Sequence, residues 1–151
     1  MYSYTENVSN QLNGLLMKNY DAQKGYLNAA ENAESNVLTR FFQKKADERK
    51  VFEAELKSEI RTFGQTPENS GSFKGTLHRT WMDTKALLSS DNDEAMLEEA
   101  MRGEKASIEE YNEVINSDEH LPQSTANLLK TQRNKIIDDT VLINKLEDIK
   151  F

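Results

Sequence analysis

Gly71–Leu88 reads GSFKGTLHRTWMDTKALL, and its length decides how the long helical patterns on either side of it connect. It holds the only Trp of the chain and one of its two His. Two long amphipathic patterns precede it and two follow. A short loop here would make the second and third long helices antiparallel. A helix of about 27 residues is roughly 40 Å long. The residues between Gly64 and Asp91 can cover that distance back along a bundle, with a shorter helix of their own from Thr76 to about Leu88. The spacing therefore predicts parallel second and third helices joined by one long crossover, not a simple up-and-down bundle.

The flanking patterns are heptad seams. The first helix is expected to start after Ser3 or Thr5, either of which suits a cap, and to run to about Ala33. Val8, Leu12, Leu15, Asn19, Ala22, Tyr26, Ala29 and Ala33 fall alternately four and three apart, as in a bundle helix. Ser35 or Asn36 can cap the second helix, which is expected to reach about Phe63 and stop at Gly64. Its apolar face is Leu38, Phe42, Ala46, Phe52, Leu56, Ile60 and Phe63, with Glu48 and Arg49 between. Gln65–Phe73 is a loop by composition. Asp91, Asn92 and Asp93 supply caps for a third helix to about Asn116, with a seam of Leu97, Met101, Glu104, Ile108, Tyr111 and Ile115. His120, Leu121 and Pro122 form the last loop. Ser124 is the expected cap of a fourth helix to about Asp148, with Leu129, Gln132, Ile136, Asp139, Ile143 and Leu146 as its seam.

Composition narrows the class. The 151 residues suit one domain, 1–151, with a real core. The charged fraction of 30% fits slender helices with broad solvated faces. No apolar run is long enough to span a bilayer, and the N-terminus has neither the basic end nor the apolar core of a secretory signal. The chain has no Cys, hence no disulfides and no thiolate chemistry, as suits a cytoplasmic protein. A net charge of −7 repels phosphate backbones, so no nucleic acid and no membrane is expected as partner. There is no phosphate-binding Gly-rich loop, no nucleophile motif and no Cys/His ligand spacing.

The segment GSFKGTLHRTW, followed by the third-helix stretch LEEAMRGEKASIEEYNEVI, resembles a bacterial family of ferritin-like four-helix-bundle proteins of unknown function. Leu12-Asn13-Gly14-Leu15 with Asp21 and Gly25-Tyr26, and Phe52-Glu53-Ala54-Glu55-Leu56, look like that family's first two helices. The likeness covers nearly the whole chain. It implies an all-α, ferritin-like four-helix bundle whose crossover carries a short extra helix. It implies no activity. Members of the family carry a His-Asp pair late in the fourth helix, where this chain reads Thr140-Val141.

Asn19, Glu48 or Arg49, Glu104, Gln132 and Asp139 each lie near the midpoint of their helix, so they can meet in one buried layer. Burying a carboxylate is costly unless it is paired, hydrogen-bonded or metal-bound. Ferritin-like di-metal sites sit at this level and use a Glu from each of two helices and Glu-x-x-His from the other two. This chain has no Glu-x-x-His, and both His78 and His120 lie outside the four long helices. Two readings follow. In the first the layer is hydrogen-bonded and ion-paired, with Arg49 neutralising Glu104 or Asp139. The protein is then non-enzymatic and acts through self-association, for instance as a dimer, or through a protein partner. In the second, Glu48, Glu104 and Asp139 bind iron or manganese, with His78 as a further ligand. Against that role, His78 can bond a backbone carbonyl while Trp81 anchors the crossover. No second seam demanding association is evident, although Tyr2, Tyr4, Phe73 and Phe151 make the ends aromatic.

Overall fold

Four long helices organise residues 3–71 and 92–149, the part of the chain that the computed structural model describes. Helix α1 (Tyr4–Asn32) starts at Ser3, whose hydroxyl accepts from the Glu6 N–H while the Glu6 carboxylate reaches back to the Ser3 N–H. That reciprocal capping box satisfies two of the amides a helix start leaves open. Helix α2 (Asn36–Thr62) is capped by Ser35 and ends where Gly64 adopts a φ of 74°, a left-handed conformation that costs glycine little. Helix α3 spans Asn92–Ile115 and helix α4 spans Gln123–Glu147. Ser124 does not cap α4. The helix begins two residues earlier, with Pro122 as its N-cap, and makes no side-chain cap bond, because the Pro ring has no oxygen to accept from the first amides. The short helix expected at Thr76 to Leu88, with His78 and Trp81, lies outside the described residues, as do Tyr2, Phe73 and Phe151.

Hydrogen bonds between helices fix their directions. Asn7 bonds Glu119 at 2.9 Å, Lys18 pairs with Glu110 at 3.3 Å, and the Glu34 amide donates to Asp93 at 2.8 Å. Partners therefore run from the loop after α3 back to its first turn as α1 is climbed, and the two are antiparallel. Between α2 and α3 partners climb together: the Ser35 amide meets Asp93, and Arg49 meets Glu104 and Ser107. Between α2 and α4 they fall again, from Lys45–Asp139 to Glu59–Thr125. So α1 and α4 run one way, and α2 and α3 the other. With α2 at 27 residues, the crossover must regain about 40 Å. The expected parallel pair is present, and the fold is a ferritin-like four-helix bundle.

The return journey begins on α1. Asn13 bonds both the Thr66 carbonyl and the Glu68 amide, and the Tyr20 hydroxyl donates to the Glu68 carbonyl. By Gly71 the chain lies against Asp21. A Cβ added at Gly71 would come 2.2 Å from Asp21 Oδ1 and 3.3 Å from Tyr20 Cβ. Asp21 is itself buried, so its carboxylate would have to shift within a packed interior to make room. At Gly14, by contrast, an added Cβ meets nothing within 4 Å. Gly14→Ala is expected to raise stability by about 0.5–1 kcal/mol. Gly71→Ala is expected to lower it by about 1–3 kcal/mol. Urea unfolding midpoints check both, and a common midpoint for the two variants would contradict the packing at Gly71.

The apolar core is in two pieces. One cluster, around Tyr26, Phe42, Met96 and Ile143, fills the end where α1 turns into α2. The other, around Leu12, Phe52, Tyr111 and Leu129, fills the opposite end. What separates them is polar.

Candidate functional site

The dividing layer is built from seam positions that the helical period forces inward. Asn19, Glu104, Gln132 and Asp139 are each 5% exposed or less, and so is Arg49. Arg49 is the hub. One Nη donates to Asn19 Oδ1 at 3.0 Å, and the other donates to Glu104 Oε1 at 2.7 Å and Ser107 Oγ at 3.1 Å. A guanidinium suits this place because its donors fan out in a plane toward two helices at once. Asn19 donates in turn to the Leu15 carbonyl and to the Tyr111 hydroxyl. Tyr111 donates to Gln132 Oε1 at 2.6 Å, and Gln132 Nε2 donates to Glu55 and to the Phe52 carbonyl. One connected network thus ties all four helices at mid-height.

A second group lies beside it, between α2 and α4. Lys45 Nζ is 2.6 Å from Asp139 Oδ1 and 3.7 Å from Glu48 Oε1. Of the two neighbours Glu48 and Arg49, Arg49 is the fully buried one, and Glu48 sits on the shoulder with its side chain 21% exposed. The structure therefore brings Glu48 and Asp139 together around Lys45. It brings Asn19, Arg49 and Glu104 together around the guanidinium, and it links Gln132 to them through Tyr111. His78 lies outside the described residues, and His120 is an exposed loop residue whose carbonyl accepts from Tyr4.

Charge explains the electrostatics. Lys45 and Arg49 face three carboxyls, Glu48, Glu104 and Asp139, so the layer is one positive charge short of neutral. Burial pushes Glu48 up to about 8, helped by the hydrogen bond and the charge of Asp139 and opposed by Lys45 and Arg49. That favours the protonated form of Glu48 at neutral pH, beside the Asp139 carboxylate. Burial also pushes Glu104 above the ordinary carboxylate range, against the downward pull of Arg49. Burial works against the charge on Arg49 as well, but Glu104, Tyr26 and Tyr111 together outweigh it and hold the guanidinium above its usual value. Burial raises the Tyr26 hydroxyl too, and its neighbour Glu104 raises it further. Glu53, on the other flank of α2, is raised to about 7 by burial, against Lys57 and Lys50.

Lys45, Ser107 and the hydroxyl of Tyr111 were not anticipated as members of the layer. A signal for Lys45 was present: Leu38, Phe42, Lys45, Arg49, Phe52 and Leu56 alternate strictly four and three apart. Hydrophobicity alone finds Ala46, which is buried beside it, and passes over Lys45. Ser107 carries no such signal, because a Ser next to Ile108 reads as the polar neighbour of a seam residue.

A bundle of this direction order, with a long crossover and a polar mid-layer, belongs to the ferritin-like class. The chain belongs to the family described as a domain of unknown function, DUF2383, which matches residues 7–117. That span takes in α1 to α3 and ends before α4. No curated protein matches the chain. Among solved structures it is similar to a mutant of Mycobacterium smegmatis Dps1, at 17% identity and a TM-score of 0.80, over 96% of this chain and 97% of that one. It is also similar to an archaeal Dps homologue from Halobacterium salinarum, at 19% identity and a TM-score of 0.77, over 98% of this chain and 83% of that one. At these identities the likeness speaks for the fold alone. Among the described residues no helix is long and apolar enough to cross a membrane.

Proposed function

We propose that this chain is a non-enzymatic bundle that acts through association, with itself or with a protein partner, and that its polar layer is an internal brace. The observation that carries this reading is the position of Arg49 and Lys45, 2.7 and 2.6 Å from Glu104 and Asp139. Two protein cations stand among the carboxyls that a metal ion would need. The donor set also fits a di-metal centre of the ferritin kind poorly. The members from α1 and from the middle of α4 are amides, Asn19 and Gln132, where such a centre uses carboxylates and imidazoles. Among the described residues no three His, Cys, Asp or Glu side chains gather closely enough to hold a metal ion.

The second reading, an iron or manganese site of Glu48, Glu104 and Asp139, has one observation in its favour. Each of the three keeps a buried oxygen, Glu48 Oε2, Glu104 Oε2 and Asp139 Oδ2, with no well-formed hydrogen bond. Elemental analysis separates the readings. It is done on protein purified without tag or chelator and then incubated with iron, manganese or zinc. The brace predicts no stoichiometric metal and no change on Asp139→Asn. Retention of about one or two ions per chain, lost on Glu104→Gln or Asp139→Asn, overturns it.

A further inference from the structure

Eight large hydrophobic side chains stay exposed among the described residues, and four of them crowd the second half of α4 and its end. They are Ile137 at 38%, Val141 at 51%, Leu142 at 40% and Ile149 at 52%. Scattered exposed apolar residues are ordinary, but a cluster on one helix marks a surface that another element covers. Asp138, Leu142, Lys145 and Ile149 recur three and four apart and are all exposed, a second stripe distinct from the buried seam of Ile136, Asp139, Ile143 and Leu146. The composition of α4 hides this stripe, because charged residues interrupt it.

The order of those charges identifies the occupant. From the point between Val141 and Leu142, the residue three further out is Asp138 on one side and Lys145 on the other. Asp138 and Lys145 are seven apart, on one face of α4, and opposite in charge about that point. A two-fold interface requires just this, because the same surface must complement itself.

We propose that a second copy of this chain docks here, α4 against α4 and antiparallel, with the two-fold axis between Val141 and Leu142. This deepens the association reading given above and rests on it. In this pairing Val141 meets Val141 and Leu142 meets Leu142 across the axis, and Asp138 faces Lys145, since residues seven apart share a helix face. Lys135 lies off this face, 5.9 Å from the centre of the Phe52 ring of its own chain. A parallel pairing in register would set Asp138 against Asp138 and Lys145 against Lys145, which like-charge repulsion disfavours. An unrelated partner gives no reason for a charge pair inverted about the centre of the apolar patch.

Sedimentation equilibrium of the full chain over a concentration series tests the proposal. The variants are Leu142→Glu, Asp138→Lys and the double variant Asp138→Lys with Lys145→Asp. These positions are exposed, so the fold tolerates the changes, and circular dichroism melting confirms it. The expected result is a wild-type dimer whose dissociation constant rises about tenfold or more with Leu142→Glu. Asp138→Lys also weakens it, by placing Lys against Lys145, and the double reversal restores it. A wild-type chain that stays monomeric at every concentration overturns the second copy as occupant, while leaving association with another protein standing. A dimer indifferent to all three variants overturns the α4 surface but keeps self-association. Failure of the brace reading would show up separately, as the stoichiometric metal described above.

Discussion

Arg49→Met is expected to destabilise the protein by about 3–5 kcal/mol, because it strands Glu104 as a buried charge without a counter-ion. The pair is 2.7 Å apart and both side chains are 1% exposed or less, so water cannot take over the missing role. Asn19 Oδ1 and Ser107 Oγ lose their donor in the same step. Glu104→Leu is expected to be comparably harmful, since it strands the guanidinium instead. The double variant, Arg49→Met with Glu104→Leu, should recover most of the loss, because two apolar groups of similar volume avoid the desolvation that the ion pair must offset. Full recovery is not expected, as Asn19 and Ser107 still go short. Urea unfolding of the four proteins gives the coupling directly. Losses that simply add in the double variant would mean that the two side chains do not act as a pair. For a chain of this size each kcal/mol corresponds to roughly 2–4 °C in Tm.

The second large effect concerns pH. Glu48 has a folded value of about 8 against an ordinary value of 4.5, and burial is the main cause. In the unfolded chain the group loses its proton near its ordinary value, whereas the folded protein keeps it. The stability this group contributes is therefore fully present below pH 4.5 and is lost progressively as the pH rises through about 8. Glu53, Glu104 and Glu110 are shifted up by burial too, and act in the same direction. Tm is expected to fall steadily between pH 5 and pH 9, at constant ionic strength. Glu48→Gln keeps the size of the side chain and can still donate to Asp139, but it does not titrate. It should flatten the profile and make the variant more stable than the wild type at pH 9. A wild-type profile that rises over this window, or one that Glu48→Gln leaves unchanged, would contradict a protonated Glu48 in the folded protein. Lys45→Met should steepen the fall, since Glu48 and Asp139 would then face each other with no cation between them.

Much of this was legible before any coordinates. The parallel α2 and α3 follow from the length of the chain between Gly64 and Asp91, because geometry leaves few ways to use it. The buried polar positions on α1, α3 and α4 follow from interruptions in otherwise regular seams: Asn19, Glu104, Gln132 and Asp139 are all inside. On α2 hydrophobicity found Ala46, which is buried, and period adds Lys45 beside it. A Lys on a seam is easily dismissed, since its long stem lets the charge escape to water. Here the ammonium stays in, because Asp139 on α4 lies opposite, and that fact belongs to the tertiary arrangement and not to α2. The choice between Glu48 and Arg49 was open for the same reason. Adjacent residues point about 100° apart, and only the position of α3 decides which one faces inward. The exposed stripe on α4 became visible only once the buried one had been fixed.

The division of the core into two apolar clusters by one polar layer bears on how the sequence can drift. Dispersion contacts are indifferent to direction, so Leu, Ile, Met and Phe at either end can trade places so long as volume is kept. The donors of Arg49 reach Asn19 on one helix and Glu104 and Ser107 on another, and that geometry admits a single vertical setting of the helices. Substitution tolerance along the bundle axis should therefore come in bands, permissive at both ends and restrictive across the middle. A saturation library sorted for folded protein would display it as two broad plateaus with a narrow trough between them.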